Sequence, residues 1–406
     1  MILMQENSDN SVFEKVNFLV GAPDIVRQMK SIPAKKPFDD EICLFLNELS
    51  GKLNSVNSSR LPDITTLAFW IRKASLSKMK TRFDKGANSI RLGRGVIFHI
   101  SPSNVPVNFA YSLIAGLVTG NANVVRVPSK DFEQVERISQ AINEVLEGHD
   151  ELKPYIALVR YGRDKEVNDY FSEIADVRVV WGGDETIAEL RKSPIGSRTT
   201  EVTFADRYSL AIIDSDAYLV DYDKAIVAQD FYNDTYLTDQ NACTSPFLIV
   251  WTGSMIQQAK EKFWNALYEL VKEKYYFQDI QAVNKLTSSY LTLVSCTDAK
   301  VIPNQDNLIV RVQLHELNNT LYRLKDNSGF FLEYDCSNIH ELISVCNNVK
   351  CQTISYIGNG GKLISLIEAG IKGIDRIVPI GKTMDFDLIW DGYDLVESFT
   401  RIISYS

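Results

Sequence analysis

The sequence predicts an α/β protein with two doubly wound parallel-sheet domains. From residue 95 onward, short apolar runs alternate with helical segments, which is the pattern of parallel βαβ units. A second series of the same kind begins after residue 205. The chain has 406 residues, of which 45% are hydrophobic, so it can supply two domains with separate cores.

The first series opens with a buried strand and a long apolar helix. GVIFHI (95–100) is short and rich in β-branched residues, and VNFAYSLIAGLVTG (107–120) is long enough for a buried helix. The strands that follow are predicted at NVVRV (123–127), IALVRY (156–161) and VRVVWG (177–182), with helical stretches between them. The helix after NVVRV carries apolar residues at helical spacing, at Phe132, Val135, Ile138, Ile142 and Val145.

The second series repeats this alternation. SLAIID (209–214) and PFLIVW (246–251) predict strands, and helices are predicted after them at DKAIVAQDFYND (223–234) and at residues 254–274. Further strands are predicted at LTLVSC, NLIVRV, FFLEYD and TISYIG.

These series place the domain division near residue 205. The first domain is expected to span 1–205 and the second 206–384. Residues 1–90 show no clear strand pattern and are expected to hold several helices. Residues 385–406 are expected to return to the first domain.

Composition excludes several classes of protein. The formal net charge of −9 is not the electrostatic footprint of a nucleic-acid binder. The segment MILMQENSDN lacks the basic and apolar parts of a signal peptide, and no apolar stretch is long enough to span a bilayer. The 6 cysteines are scattered without a CxxC pair, which argues against a disulfide framework and a zinc site. A reduced, cytoplasmic protein without a metal and without membrane insertion is expected.

Loops at the ends of predicted strands carry the first chemical signals. Ligands of open parallel sheets bind at the carboxyl ends of the strands, although the GxGxxG dinucleotide signature is absent here. Arg126 and Lys130 flank Pro128 and Ser129 where a strand ends. Two cations and a hydroxyl at a helix start could hold an adenosine ribose or its 2′-phosphate. The alternative is a solvated helix N-terminus with incidental charges.

Two other loops are open to the same kind of interpretation. Gly182 and Gly183 in WGGDET precede a helix, where glycines let a ligand phosphate approach the backbone. A tight strand-to-helix turn would explain them equally well. Asn104 lies between a strand and a proline, and its amide could donate to a developing oxyanion. It could instead satisfy its own loop backbone.

Cys243, in TDQNACTSPF (238–247), is the candidate nucleophile. Its neighbours are polar and unlike those of a core strand, and a polar loop is where a thiol is accessible and its thiolate stabilised. The alternative is a small buried thiol. A structural role is expected of the other cysteines, Cys43, Cys296, Cys336, Cys346 and Cys351.

Together these loops resemble the aldehyde dehydrogenase superfamily. The stretch GVIFHISPSNVPVNFAYSLIAGLVTGNANVVRVPSK (95–130) has the order of strand, Asn-x-Pro loop, apolar helix, Gly-Asn and strand with a basic end that the superfamily shows. RVPSK, WGGDETI, DQNACTSP and RIVPIGKTMDFDLIWDGYDLVES (376–398) are similar to one family within it, the acyl-CoA reductases of the bacterial luminescence fatty acid reductase type (LuxC). The resemblance runs from about residue 90 to the end.

The resemblance implies an aldehyde dehydrogenase-like fold with a cofactor-binding domain at 1–205 and a catalytic cysteine domain at 206–384. It makes Cys243 the acyl-accepting nucleophile and makes Asn104, with the backbone N–H of Cys243, the oxyanion hole. It also implies cofactor-binding residues on two strand-end loops: Arg126, Ser129 and Lys130 at the adenosine ribose, and Gly183 and Asp184, next to the candidate Gly182, at the pyrophosphate.

Two departures from the superfamily bear on the reaction. The E-L-G-G stretch that carries the general-base glutamate of aldehyde oxidisers is absent, and Glu201 in TTEVTF is the nearest candidate. The E-I-F-G-P stretch is also missing, with DNSGFFLEYD in its region. Without a base to activate water, an acyl-enzyme thioester should persist long enough to accept hydride, which favours acyl reduction over aldehyde oxidation.

The expected activity is therefore NADPH-dependent reduction of a long-chain fatty acyl-CoA, or another activated acyl group, to the aldehyde. Arg126 and Lys130 favour NADPH over NADH. The expected partners are an acyl-CoA or acyl-protein donor, an acyl-protein synthetase and further copies of the chain. Three alternatives stay open: an acyltransferase or thioesterase without hydride transfer, a reductase of a small acyl phosphate, and a non-catalytic scaffold for an acyl-transferring partner.

Overall fold

The computed structural model describes residues 11–55, 61–83, 89–103 and 105–404. The chain divides into two compact units. The first consists of the residues up to Ala205 together with the chain from Phe386 onward, and the second is Asp206–Asp385.

The first 90 residues contain mainly helices in their described part. One of these helices begins at Pro62, and the fixed φ of proline suits the first position of a helix. A short strand, which the sequence did not predict, precedes them. The elements are β1 (Asn17–Val20), α1 (Pro23–Gln28), α2 (Asp40–Ser55), α3 (Pro62–Trp70) and α4 (Lys73–Phe83).

Strands and helices then alternate as the sequence predicts. The elements are β2 (Ser89–Gly93), β3 (Val96–Ile100), α5 (Asn108–Val118), β4 (Ala122–Arg126), α6 (Glu133–Leu146), β5 (Ile156–Arg160), α7 (Lys165–Ile174), β6 (Val177–Trp181), α8 (Asp184–Leu190) and β7 (Thr200–Phe204). Strands β3 to β7 form one sheet together with β1, in the order β1-β5-β4-β3-β6-β7. Only β1 runs antiparallel to its neighbour among these strands. All five residues of β3 are buried, as its apolar sequence requires.

The second unit repeats the architecture with a sheet of seven strands. Its elements are β8 (Tyr208–Asp214), α9 (Ser215–Asp221), α10 (Lys224–Thr235), β9 (Pro246–Thr252), α11 (Ile256–Lys274), α12 (Asp279–Ser295), β10 (Lys300–Val301), β11 (Val310–Leu314), β12 (Phe330–Asp335), α13 (Ile343–Cys346), β13 (Cys351–Ile357), α14 (Ile364–Glu368) and β14 (Arg376–Pro379). The strand order is β10-β11-β12-β9-β8-β13-β14.

Both faces of this sheet are covered. Along β8, Leu210 and Ile212 enter one apolar cluster, whereas Ala211 and Ile213 enter the cluster on the opposite face. Only the short edge strand β10 is antiparallel to its neighbour. These two sheets confirm the prediction of a doubly wound parallel α/β fold.

One predicted strand is wrong. LTLVSC belongs to α12 up to Ser295 and does not form a strand. Its apolar side chains Leu291, Leu293 and Val294 are exposed, and the buried residue of the segment's helical part is Thr292. The apolar run was therefore no sign of core packing.

The C-terminal segment from Phe386 belongs to the first unit. It forms β15 (Ile389–Trp390), β16 (Tyr393–Asp394), α15 (Leu395–Phe399) and β17 (Thr400–Ser404). β17 pairs antiparallel with β2, and Arg82 of α4 forms an ion pair with Asp387 at 2.9 Å. Within the described ranges, no helix combines the length and apolarity needed to cross a bilayer, and no cluster of potential metal ligands is found.

Candidate active site

Cys243 lies on the loop that joins α10 to β9. The chain leaves α10 through a 3₁₀ turn (Tyr236–Thr238), and Asp239 and Gln240 then take left-handed backbone angles, with φ of 53° and 59°. This double reversal is unusual for residues other than glycine. It directs the chain back toward Pro246, the first residue of β9. Cys243 is half-buried, and its carbonyl oxygen accepts a hydrogen bond of 2.7 Å from Ser209 Oγ.

Gln240 fixes this loop to the sheet. Its side chain is 1% exposed, and its Nε2 donates to the carbonyl oxygens of Pro246 and Phe330, both at 3.0 Å. Its Oε1 accepts from the backbone N–H groups of Gly329 at 2.9 Å and Phe330 at 3.2 Å. The amide thus meets four backbone partners, so it satisfies its own buried polar atoms and holds the loop in one place.

A second set of polar contacts holds the outer side of the same loop. Tyr275 Oη and Gln281 Nε2 both donate to the carboxylate of Asp239, the latter at 3.2 Å. Asn327 Nδ2 donates to Asn241 Oδ1 at 2.9 Å. The loop that carries the thiol is therefore braced on both sides within the second unit.

The segment after β14 contacts the cysteine loop. Thr244, the residue after Cys243, donates its hydroxyl to the sulfur of Met384 at 3.2 Å. Buried Asp234, near the end of α10, accepts the N–H groups of Gly381 at 2.6 Å and Thr383 at 3.1 Å. Burial raises the pKa of Asp234 to about 7, against the opposing effect of these two hydrogen bonds.

Arg376 holds this segment through its carbonyl oxygens. Its guanidinium donates to Thr383 at 3.0 Å, Lys382 at 3.1 Å and Asp385 at 2.9 Å. The segment beside Cys243 is therefore held by Asp234, which accepts hydrogen bonds from its N–H groups, and by Arg376, which donates hydrogen bonds to its C=O groups.

The candidate cofactor residues lie in the first unit, on two loops at one edge of the six-stranded sheet. Arg126 ends β4, where its Nη2 donates to the carbonyl oxygens of Tyr161 at 3.3 Å and Gly162 at 3.0 Å. Its guanidinium carbon lies 4.6 Å from the centre of the Tyr161 ring. Arg126 thus links the ends of β4 and β5. Ser129 and Lys130, by contrast, are exposed.

Gly182, Gly183 and Asp184 follow β6, beyond the strand that borders β4. Gly183 and Asp184 are exposed, and a Cβ placed on Gly183 would meet no atom within 4 Å. The strand order β5-β4-β3-β6-β7 reverses between β3 and β6, and such a reversal opens a crevice at the carboxyl ends of the strands. At the end of β3, Ser101 Oγ is buried and has no partner among the residues that the structure describes.

These features fit a dinucleotide in outline. The reversal of strand order, the open space over Gly183 and the unpaired hydroxyl of Ser101 are consistent with a bound polar ligand. The ammonium of Lys130 can turn toward such a ligand, whereas the guanidinium of Arg126 is already engaged by protein carbonyls.

Glu201, the nearest candidate for a general base, is held in ion pairs. It lies on β7, and its carboxylate accepts from buried Arg178 at 2.9 Å and from Arg191 at 2.8 Å. Hydrogen bonds and charge from both arginines lower its pKa despite the opposing effect of its burial. A carboxylate so paired is a poor proton acceptor. Asn104, the candidate oxyanion donor, lies outside the described residues.

The sequence does not single out the residues that position the cysteine loop, which are Gln240, Asp234 and Arg376. Gln240 bonds to residues 90 positions away, so no local pattern could have indicated its role. Asp234 gave a weak signal, because a carboxylate among the buried positions of a helix needs a specific partner.

Solved structures of aldehyde dehydrogenases share this fold. An indole-3-acetaldehyde dehydrogenase solved with NAD⁺ superposes with a TM-score of 0.68, at 14% identity over 94% of this chain and 87% of that one. Betaine aldehyde dehydrogenase from Staphylococcus aureus gives 0.64, at 14% identity over 98% and 87%. The aldehyde dehydrogenase-like fold that the sequence predicts is thereby confirmed. Identities this low show the fold alone.

The curated relatives that this chain matches are longer proteins. The long-chain acyl-protein thioester reductases of Vibrio harveyi and Aliivibrio fischeri are each 23% identical over 77% of this chain. The chain spans 64% of the length of each of these relatives. The model of the acyl-CoA reductase (LuxC) family matches residues 27–402, most of the sequence. The chain therefore belongs to the acyl-CoA reductase (LuxC) family.

Proposed function

We propose that this protein reduces an activated acyl group to the aldehyde through a thioester on Cys243. One observation carries the proposal: in a chain of this family, the cysteine of the DQNACTSP stretch is half-buried on a loop that Gln240 fixes to the sheet. A nucleophile must be held in position to attack, and a loop braced in this way provides that.

The chemistry has two halves. The Cys243 thiolate attacks the acyl carbonyl carbon, the new C–S bond forms, and the thiol of the donor leaves. The side-chain amide of Asn104 and the backbone N–H of Cys243 stabilise the tetrahedral oxyanion. After reduction the C–S bond to Cys243 breaks, which releases the aldehyde and restores the thiolate. Sulfur suits both halves because thiolates attack and leave well.

A reduced nicotinamide, when bound, would supply the hydride. We assign its adenosine ribose to Ser129 and Lys130 and its pyrophosphate to the turn of Gly182, Gly183 and Asp184. Arg126 would shape this site by joining β4 and β5, and Lys130 would make the contact that favours NADPH over NADH. The engagement of Glu201 by two arginines supports reduction over oxidation, because it leaves no base there to activate water against the thioester.

We further assign the acyl group to the long-chain fatty class, delivered by coenzyme A or by a carrier protein. The curated relatives are named for reduction of long-chain acyl-protein thioesters, which supports a protein-borne donor. An acyl-protein synthetase is the partner that such a donor implies.

The test follows NADPH and NADH oxidation with acyl-CoA thioesters of increasing length, in the wild type, Cys243→Ala and Cys43→Ala. Cys43 is the matched control, because it is also half-buried but lies in the other unit. Aldehyde formation that survives Cys43→Ala and is lost in Cys243→Ala supports the proposal.

The acylated state separates the alternatives. Intact-protein mass after mixing with acyl-CoA should increase by one acyl group in the wild type and not in Cys243→Ala. An acylated protein that never consumes reduced cofactor, with an acyl-protein donor also supplied, would indicate acyl transfer or hydrolysis. Neither acylation nor cofactor oxidation would favour the scaffold.

A further inference from the structure

Helix α12 (Asp279–Ser295) is amphipathic, but its polar side is buried and its apolar side is exposed. Its buried positions are polar, at Lys285, Ser289 and Thr292. Its outer side, together with the residue three positions before the helix, carries large apolar side chains that are 56–89% exposed. We call this set the outer face of α12; its members are Tyr276, Ile280, Val283, Leu286, Tyr290, Leu291 and Val294.

Polar contacts hold α12 in this orientation. Lys285 Nζ donates to the backbone oxygens of Asn307 and, at 2.6 Å, of Ser328. Ser288 Oγ donates to Asp326 at 2.6 Å. Turning the helix to bury its apolar side would place the Lys285 ammonium in water but leave these oxygens unpaired. The outer face is therefore a fixed surface.

An exposed apolar surface of this size calls for a partner. Seven side chains with roughly 100 Å² of free surface each give on the order of 700 Å² per chain. Two copies that pair through this face would bury about 1,400 Å², within the range of specific protein interfaces. A helix of this length extends about 25 Å, which suits a helix-to-helix contact across a two-fold axis.

Charge favours a second copy as the occupant. The chain carries a formal net charge of −9, so most of its surface repels another copy. The sequence of α12 contains only two charged residues, Asp279 and Lys285, and Lys285 is buried. An apolar face is complementary to itself, as an isologous interface requires. We propose that the outer face of α12 is the surface through which two copies of this chain associate.

The experiment compares assembly masses by light scattering over a range of protein concentrations. The test variant is Leu286→Glu with Tyr290→Glu. The matched control is Val220→Glu with Ile226→Glu, two apolar side chains of the same unit that are 76% and 62% exposed but lie on α9 and α10. Circular dichroism and thermal unfolding check that both variants are folded.

We expect the wild type and the control to share one assembly mass and the test variant to have half of it or less. A wild type that is monomeric at every concentration would overturn the proposal, and would leave the face to a different protein. A folded test variant that keeps the wild-type mass would overturn it as well.

Discussion

The cysteine loop and the candidate cofactor edge are built in opposite ways. Two of the polar side chains that hold the region around Cys243 are buried and hydrogen-bonded, with Gln240 and Asp234 each about 1% exposed. At the carboxyl edge of the six-stranded sheet, Lys130 is exposed and the space over Gly183 is empty of protein atoms. A nucleophile benefits from being fixed before the substrate arrives, whereas a dinucleotide brings its own polar groups and needs room. The comparison predicts that substitutions of the residues that brace the loop affect folding and rate together, and that substitution of an exposed edge residue such as Lys130 affects cofactor choice alone.

Gln240→Leu should have the largest combined effect. It removes four hydrogen bonds and leaves backbone groups of Pro246, Gly329 and Phe330 buried without that partner. We expect a loss of about 2–5 kcal/mol in the free energy of unfolding, measured in urea, and a fall in the rate of acyl reduction. Gln258→Leu, on the exposed side of α11, is the control and should stay within about 0.5 kcal/mol of the wild type. Equal stability of the two variants would contradict the bracing role.

Asn104→Ala should lower the turnover number about 10²-fold, the usual effect of removing one oxyanion donor. Because the amide would act on the transition state, the KM for the acyl donor should change much less. Steady-state kinetics with an acyl-CoA donor measures both, and Ser103→Ala on the same loop is the control. A near-normal turnover number would remove this role from Asn104.

Asp234→Asn tests how the second brace depends on pH. With a pKa of about 7, Asp234 stays protonated in the folded chain between about pH 4 and 7, where the unfolded chain has lost that proton. Its contribution to stability therefore falls as the pH rises through this window and levels off above it. The variant lacks this titration. As the pH rises from 4 to 8, the unfolding free energy of the variant should therefore increase relative to that of the wild type, by on the order of 1–4 kcal/mol.

The control for that series is Asp131→Asn, a carboxylate that is 91% exposed. At pH 7 its unfolding free energy should stay within about 0.5 kcal/mol of that of the wild type, as expected of a surface substitution. A difference between Asp234→Asn and the wild type that does not change with pH would show that burial does not hold the proton there.

The two regions also differ in how far the sequence could predict them. The strands and helices around Arg126 and Gly183 follow from apolar periodicity, because each element buries residues that are near in sequence. The position of Cys243 on a loop was also predictable, because its neighbours in the sequence are polar and unlike those of a core strand. The bracing by Gln240 was not, since it depends on two left-handed residues and on a strand 90 positions away. The strand predicted at LTLVSC failed because apolar residues there face outward, which local periodicity cannot reveal.

Lys130→Ala should have the smallest effect and the most specific one. If Lys130 makes the contact with a 2′-phosphate, its loss should lower kcat/KM for NADPH relative to NADH about fivefold, the scale of one exposed charge pair. Lys153→Ala, on the surface of the same unit, should leave the ratio unchanged. Arg126→Ala should instead weaken both cofactors alike, because Arg126 holds the carbonyl oxygens of Tyr161 and Gly162. A larger change of the ratio in Arg126→Ala than in Lys130→Ala would mean that the guanidinium leaves its carbonyls to meet the cofactor. The edge would then be preorganised in the same sense as the cysteine loop, and the contrast between the two regions would fail.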